Sequence, residues 1–289
     1  MSQQIHLEDN LKRAADVITN ASALIFSSGA GMGVDSGLPD FRGENGFWKA
    51  YPVFSRIGIS FHDIAQPSWF IKDPRMIWAF YGHRLKMYRE HVPHLGYSFL
   101  HELSKKYNHF AITSNVDGFY KKSGFSDSNI WEVHGSIHHL QKCHHSEYFM
   151  NDKWHNSEVI SADSFNIEID EETFRVVGDL PMSEGKLLRP NILMFMDYAF
   201  LQSREHEQQL NFEKWAEKSD LSRLVIIETG AGIDIPTIRS LSTKLASKYN
   251  GKLIRINPRD FQILGLNDNG IEISSGAEKA LLEIKKYMS

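Results

Sequence analysis

Residues 23–33 read ALIFSSGAGMG, a short apolar run followed at once by glycines at positions 29, 31 and 33. An apolar run of this length bounded by glycine reads as a buried strand. Glycines at alternate positions directly after it give a turn whose backbone N–H groups can approach a phosphate and lead into a helix start. Such a turn has to hang from a sheet, and the rest of the chain offers the strands. HFAITSN (109–115), IWEV (130–133), LVIIETG (224–230) and KLIRIN (252–257) are further apolar runs, and NILMFM (191–196) is read as another strand. Between them lies helical periodicity: Leu7, Leu11, Ala14, Ala15 and Ile18 in the first element, and Ile77, Phe80, Tyr81, Arg84 and Tyr88 within 76–91. Helices are also expected in HLGYSFLHELSKKY, over 235–249 and in the late AEKALLEIKKYM. Strand and helix in alternation predict an α/β fold, a Rossmann-like parallel sheet with helices on both faces.

The stretch 138–186 departs from this pattern. It is polar, rich in His, Ser, Asp and Glu, with only short alternating segments such as FNIEI and TFRVV. A small inserted β-containing module is expected there, within a single unit 1–289 whose sheet-bearing layer comprises 8–137 and 187–286. With 32 basic and 36 acidic side chains the net charge is -4, which argues against a chain whose main work is holding nucleic acid. One cysteine among 289 residues excludes an intramolecular disulfide and any all-cysteine metal site within one chain. The N-terminal segment has no apolar leader core and no run approaches 18 apolar residues, so a cytoplasmic chain that does not enter a membrane is expected.

Three polar clusters follow predicted strands. The first continues the glycine turn through Asp35, Gly37, Pro39, Asp40, Phe41, Arg42 and Gly43, which puts an acid, an aromatic ring and a guanidinium into a loop with something to cover. The second is Ser114, Asn115 and Asp117, and the third His134 with Gly135. Ligands of open α/β sheets bind beyond the carboxyl ends of the strands, so the three loops predict a nucleotide pocket holding a carboxamide, a carboxylate and an imidazole. Asp35 stands too close to the glycines to be a ribose-binding acid, which is expected about 20 residues on, so a hydride-transfer dehydrogenase is disfavoured.

These residues resemble the sirtuin family of NAD-dependent protein deacylases. GAGMGVDSGLPDFR (29–42) is similar to the family's first motif, Asn115 and Asp117 to its Asn-x-Asp pair, and His134 with Gly135 to its His-Gly. LRPNILMFMD (188–197), ETGAGIDIP (228–236) and IRINPRD (254–260) follow in the family's order, so the likeness spans about 8–285. The resemblance implies NAD as a consumed co-substrate, contacted by Gly29, Ala30, Gly31 and Met32, with Asp40, Phe41 and Arg42 folding over it. It further implies contacts from Ser114, Thr229, Gly230 and Asn257. Asn115 would hold the nicotinamide ribose and Asp117 the carboxamide. His134 would act as general base on the ribose hydroxyls, which suits an imidazole at neutral pH. The products would be free lysine, nicotinamide and 2′-O-acyl-ADP-ribose, and the partner an acyl-lysine protein or peptide, with no nucleic acid or membrane. Tyr81 and Arg84, one helical turn apart, match a Tyr-x-x-Arg pair of sirtuins that remove succinyl or malonyl groups, where the guanidinium would meet a carboxylate.

The departures from the family are as informative. Its structural zinc is held by four cysteines; here Cys143 stands near the first position and Ser146 near the second. A zinc-free module is therefore expected, the alternative being a Cys/His site of Cys143 with His138, His139, His144, His145 or His155. Gly33 replaces a serine of the first motif, Ser114 a glutamine, and Glu228 and Gly230 a glycine and a serine near the adenosine. Met196 and Asp197 replace a Gly-Glu pair, and Met196 is expected to narrow the acyl-lysine tunnel. Because the NAD-facing residues match better than the peptide-facing ones, an NAD glycohydrolase or mono-ADP-ribosyltransferase on the same fold is the alternative activity.

Overall fold

The computed structural model describes residues 2–39, 43–143 and 158–288. Helix α1 (Ser2–Thr19) leads into β1 (Ala23–Ser28), every residue of which is buried. Two 3-10 turns and the short helices α2 (Gly43–Ala50), α3 (Pro52–Arg56), α4 (Phe61–Ile64) and α5 (Trp69–Lys72) precede α6 (Pro74–Glu90) and α7 (Leu95–Ser104). Then come β2 (Asn108–Thr113), α8 (Phe119–Lys122), β3 (Ile130–Glu132) and six strands of a separate region: β4 (Gly135–Lys142), β5 (Ile160–Ser161), β6 (Glu168–Asp170), β7 (Arg175–Val177), β8 (Met182–Ser183) and β9 (Lys186–Ile192). The chain closes with α9 (Ser203–Lys218), β10 (Leu224–Thr229), α10 (Thr237–Tyr249), β11 (Lys252–Ile256), β12 (Gly270–Ile273) and α11 (Ala277–Tyr287).

Six of these strands form one parallel sheet in the order β12-β11-β10-β1-β2-β3. The chain moves outward from β1 to β3 and then returns to β10 on the other side of β1. That reversal opens a crevice at the carboxyl ends of β1 and β10. Alternate residues of β1 serve opposite faces, as the two-residue strand period requires. Leu24 and Phe26 join the core that includes α1, α6, α7 and α11, while Ala23 and Ile25 join Phe212, Ile238 and Leu245 from α9 and α10. Helices on both faces thus match the sequence expectation.

Antiparallel strands in the order β5-β4-β9-β8, with the β6 and β7 hairpin beside them, form the smaller region. The segment 191–196, read as a strand of the parallel sheet, is corrected here. Its first two residues end β9, which pairs with β4, and 193–196 is a turn. Asp197 makes that turn by accepting the N–H of Met194 at 3.2 Å and of Ala199 at 3.0 Å while it pairs with buried Arg189. The small sheet is fastened to α6. Trp78 Nε1 donates to the Leu188 carbonyl at 2.8 Å, Arg75 to those of Val176 and Gly178, and Arg89 to those of Phe165 and Ala162.

Gly135, where the chain passes from the large sheet to the small one, has φ +76° and lies so close to β9 that a Cβ would stand 2.1 Å from the Asn191 carbonyl oxygen. Replacing it with alanine combines left-handed strain with a backbone clash, and the expected loss is about 3 kcal/mol. Urea denaturation will show this as a lowered midpoint with an unchanged slope, and an unchanged midpoint would contradict the geometry.

Candidate active site

The turn after β1 is fixed by the loop after β10. Gly29 N–H donates to the Thr229 carbonyl and Gly31 N–H to that of Gly230, both at 3.0 Å. The backbones touch: a Cβ on Gly29 would meet Ala231 Cα at 2.9 Å, and one on Gly31 would meet Gly230 Cα at 2.9 Å. Side chains from three other segments then take the carbonyls of the two loops. Asn115 Nδ2 donates to Gly29 (3.1 Å), His94 Nε2 to Met32 (2.9 Å) and Asn257 Nδ2 to Ala231 (2.9 Å).

Beyond these loops lies a cavity of about 630 Å³. Gly29, Ala30 and Gly33 line it from the first loop, Ser114, Asn115 and Asp117 from the second, and His134 from the third. Tyr81 and Arg84 of α6 reach the same space, as do Met194 and Phe195 of the turn after β9. The second and third loops therefore bring their polar residues to one cavity, while the first adds Gly29, Ala30, Gly33 and Pro39, and its Asp35 instead accepts the N–H of Glu278 at 2.9 Å. Gly31, Met32, Thr229, Gly230 and Asn257 stand behind its wall: Met32 is buried in the core, and Thr229 Oγ1 donates to the Ser27 carbonyl at 3.3 Å. Met196 is 66 % exposed and outside the wall, with φ +52° at the tip of its turn. Asp40, Phe41 and Arg42, like His144, His145, Ser146 and His155, lie outside the described residues. Among the described residues no group of three His, Cys, Asp or Glu side chains is placed to hold a metal ion. Burial pushes the Cys143 thiol up to about 12.

Burial sets the protonation of the polar wall. It raises the Asp117 carboxyl to about 7, against the Phe119 N–H bond to Oδ1 (2.8 Å), with the Glu132 charge adding to the rise. It lowers the affinity of His134 for a proton, which keeps the imidazole neutral at pH 7. Arg84 is buried among the rings of Phe61, Phe80, Tyr81 and Tyr88, 5.3 to 5.9 Å from their centroids, and Nη2 donates to the Tyr88 hydroxyl at 2.9 Å. Burial works against its charge, but the tyrosine hydroxyls of residues 88, 81 and 51 outweigh it and raise its pKa.

Several wall residues were not singled out from the sequence. The His62 ring lies tilted against that of Phe195, centroids 4.3 Å apart, and the Phe195 N–H donates to the Ala65 carbonyl, which joins the α4 region to the turn after β9. The local signal for α4 was its capping box, Ser60 with Asp63, which fixes a helix start but says nothing of a cavity. No helix of the described residues is long and apolar enough to cross a membrane.

The chain belongs to the Sir2 family, whose model matches residues 29–217. It is 32% identical over 283 residues to an NAD-dependent protein deacylase of Thermococcus sibiricus, covering 96% of this chain and 98% of that one. A second relative, an NAD-dependent protein deacylase of Candida albicans, is 34% identical over 140 residues, which span 47% of this chain and 43% of the relative. Among solved structures, a Sir2 homologue in complex with NAD superposes with a TM-score of 0.65 at 20% identity, over 96% of this chain and 94% of that one. That likeness establishes the shared fold.

Asp117 gives a pH signature. Its folded pKa near 7 lies above the ordinary 3.8, so between those values the folded state binds the extra proton and stability falls as pH rises. Asp117→Asn keeps an acceptor for the Phe119 N–H and removes the titration. The variant is expected to match the parent near pH 4.5 and to melt higher than it at pH 8 in calorimetry. A constant difference across that range would contradict the buried carboxyl.

Proposed function

We propose that this Sir2 family member is an NAD-dependent protein-lysine deacylase acting in the cytoplasm, releasing nicotinamide and 2′-O-acyl-ADP-ribose. The observation that carries the reading is convergence: a backbone-walled crevice at the strand reversal, Asn115, Asp117 and His134, and the pair Tyr81 and Arg84 share one cavity. The residues present suit a dinucleotide. Gly29, Ala30, Gly33, Ala231 and Gly232 carry almost no side-chain bulk, so a pyrophosphate can come close to backbone N–H groups. NAD supplies an anomeric carbon with nicotinamide as its leaving group, so deacylation proceeds without redox change.

The chain's own groups divide the remaining work. Asn115 is held at the Gly29 carbonyl beside the ribose position, and Asp117, titrating near pH 7, can meet a carboxamide as donor or acceptor. His134, neutral through burial, takes a proton from a ribose hydroxyl. An acyl-lysine side chain enters between the turn 193–196 and the loop 231–235 and ends near Arg84. There a succinyl or malonyl carboxylate finds a guanidinium kept charged in an aromatic, water-poor shell, with the Tyr81 hydroxyl beside it. Acidic acyl groups are therefore the preferred substrates.

Incubation with NAD and acetyl-, succinyl- and malonyl-lysine peptides, read by mass spectrometry, tests this. Peptide-dependent 2′-O-acyl-ADP-ribose is expected, and its loss in His134→Ala. Free ADP-ribose formed equally well without peptide would favour an NAD glycohydrolase, and modified protein a mono-ADP-ribosyltransferase. Arg84→Met is expected to cost desuccinylation about 10- to 100-fold more than deacetylation, the worth of a charge-assisted hydrogen bond. Equal losses would remove the acidic preference and leave the deacylase reading in place.

A further inference from the structure

The backbone of His134 is pinned on both sides. Val133 N–H donates to the Thr113 carbonyl, and the His134 carbonyl accepts the N–H of Leu193, both at 2.9 Å. Gly135 follows with the conformation that only glycine meets at that crossing. What remains to be set is the rotation of the imidazole and the nitrogen that carries its proton. Catalytic histidines usually have the second nitrogen held by a carboxylate or a backbone carbonyl. Here burial lowers the ring's affinity for a proton. Among the described residues, the hydrogen bond the structure gives the ring joins Nε2 and Thr237 Oγ1, at 3.1 Å, its direction set by the tautomer.

Thr237 is the first residue of α10 and follows Pro236. Its β-branched side chain has few rotamers, so its hydroxyl is a well-placed partner. Taking His134 as the general base, on which this inference rests, we propose that Thr237 is the positioning residue of that base. It accepts the Nε2 proton, fixes the ring plane, and leaves the lone pair of Nδ1 for the ribose hydroxyl. Thr237 occupies Nε2, which leaves Nδ1 as the nitrogen to take a proton, and it can do so only in the Nε2–H tautomer.

Thr237→Val keeps the shape of the side chain and removes the acceptor, whereas Thr237→Ser keeps the hydroxyl. Thr237→Val is expected to lower kcat for deacylation about five- to tenfold, the worth of one neutral hydrogen bond, with KM for NAD and peptide within twofold. Thr237→Ser is expected to restore most of the rate. Independently of turnover, nitrogen-15 NMR of the full chain should show His134 as the Nε2–H tautomer in the parent and as a mixture in Thr237→Val. A parent with the proton on Nδ1, or a Thr237→Val enzyme with the parent's kcat, overturns the proposal. Should His134→Ala deacylate normally, the base assignment fails instead, and the NMR result still decides whether Thr237 sets the tautomer.

Discussion

Two loops cross at backbone contact distance, and the rest of the site is built on that crossing. Parallel pairing of β1 with β10 delivers Gly29 and Gly31 against Gly230 and Ala231, with the N–H groups of both glycines donating to carbonyls of the other loop. Gly230 lies at φ +62°, and a Cβ there would stand 2.2 Å from Met32 N, so neither loop can carry a side chain at the contact. The loop carbonyls of Gly29, Met32 and Ala231 point outward and are each taken by a side chain from a different segment. Asn115 is one of these, which makes it both a brace of the turn and part of the cavity wall. A site whose first polar residue is held by the loop it faces is preorganised before any ligand arrives.

Two buried ion pairs occupy positions where the sequence leaves the family pattern, and they change how those positions are understood. Glu228 stands directly across from Arg255 in the parallel register, fully buried, with bonds of 2.5 and 3.0 Å between them. Arg255 continues to the Gln262 carbonyl and Thr243 Oγ1, so the pair ties β10 and β11 to α10 and to the segment after β11. Glu228 therefore faces its partner within the sheet, behind the cavity wall. The pairing of Arg189 with Asp197 does similar work for the turn carrying Met194 and Phe195. Buried pairs gain little over an apolar core of the same shape, but removing one partner leaves a charge stranded.

The strand alternation and the three polar clusters after strands were legible in the sequence because each rests on local signals: apolar runs, glycine spacing, and polar residues at strand ends. The segment 191–196 was not, because an unbroken apolar run looks alike whether it pairs in a sheet or lines a cavity. What ends the strand is Asp197 reaching back to Met194, and that depends on Arg189 eight residues earlier. His94 and Thr237 were illegible for a related reason. Each is an unremarkable surface-type residue whose partner, Met32 or His134, lies 62 or 103 positions away in the chain. The sheet register that brings such residues together is not written in either segment alone.

Helix α6 links the small sheet to the chemistry. Its inward side carries Tyr81 and Arg84 into the cavity, while Arg75, Trp78 and Arg89 donate to backbone carbonyls of the inserted strands. Donation to carbonyls is indifferent to the identity of the residues that bear them. This backbone attachment and the paired β4 and β9 are joined by side-chain contacts: Arg175 pairs with Asp73 at 2.8 Å, and Phe174 meets the rings of Tyr51 and Phe54. A displacement of the small sheet would therefore be felt along α6 at Arg84, whose surrounding rings come from α4 and from α6 itself. The Arg84 end of the cavity is thus tied through α6 to the inserted module, and the Gly29 end is fixed by the crossing of the two glycine loops.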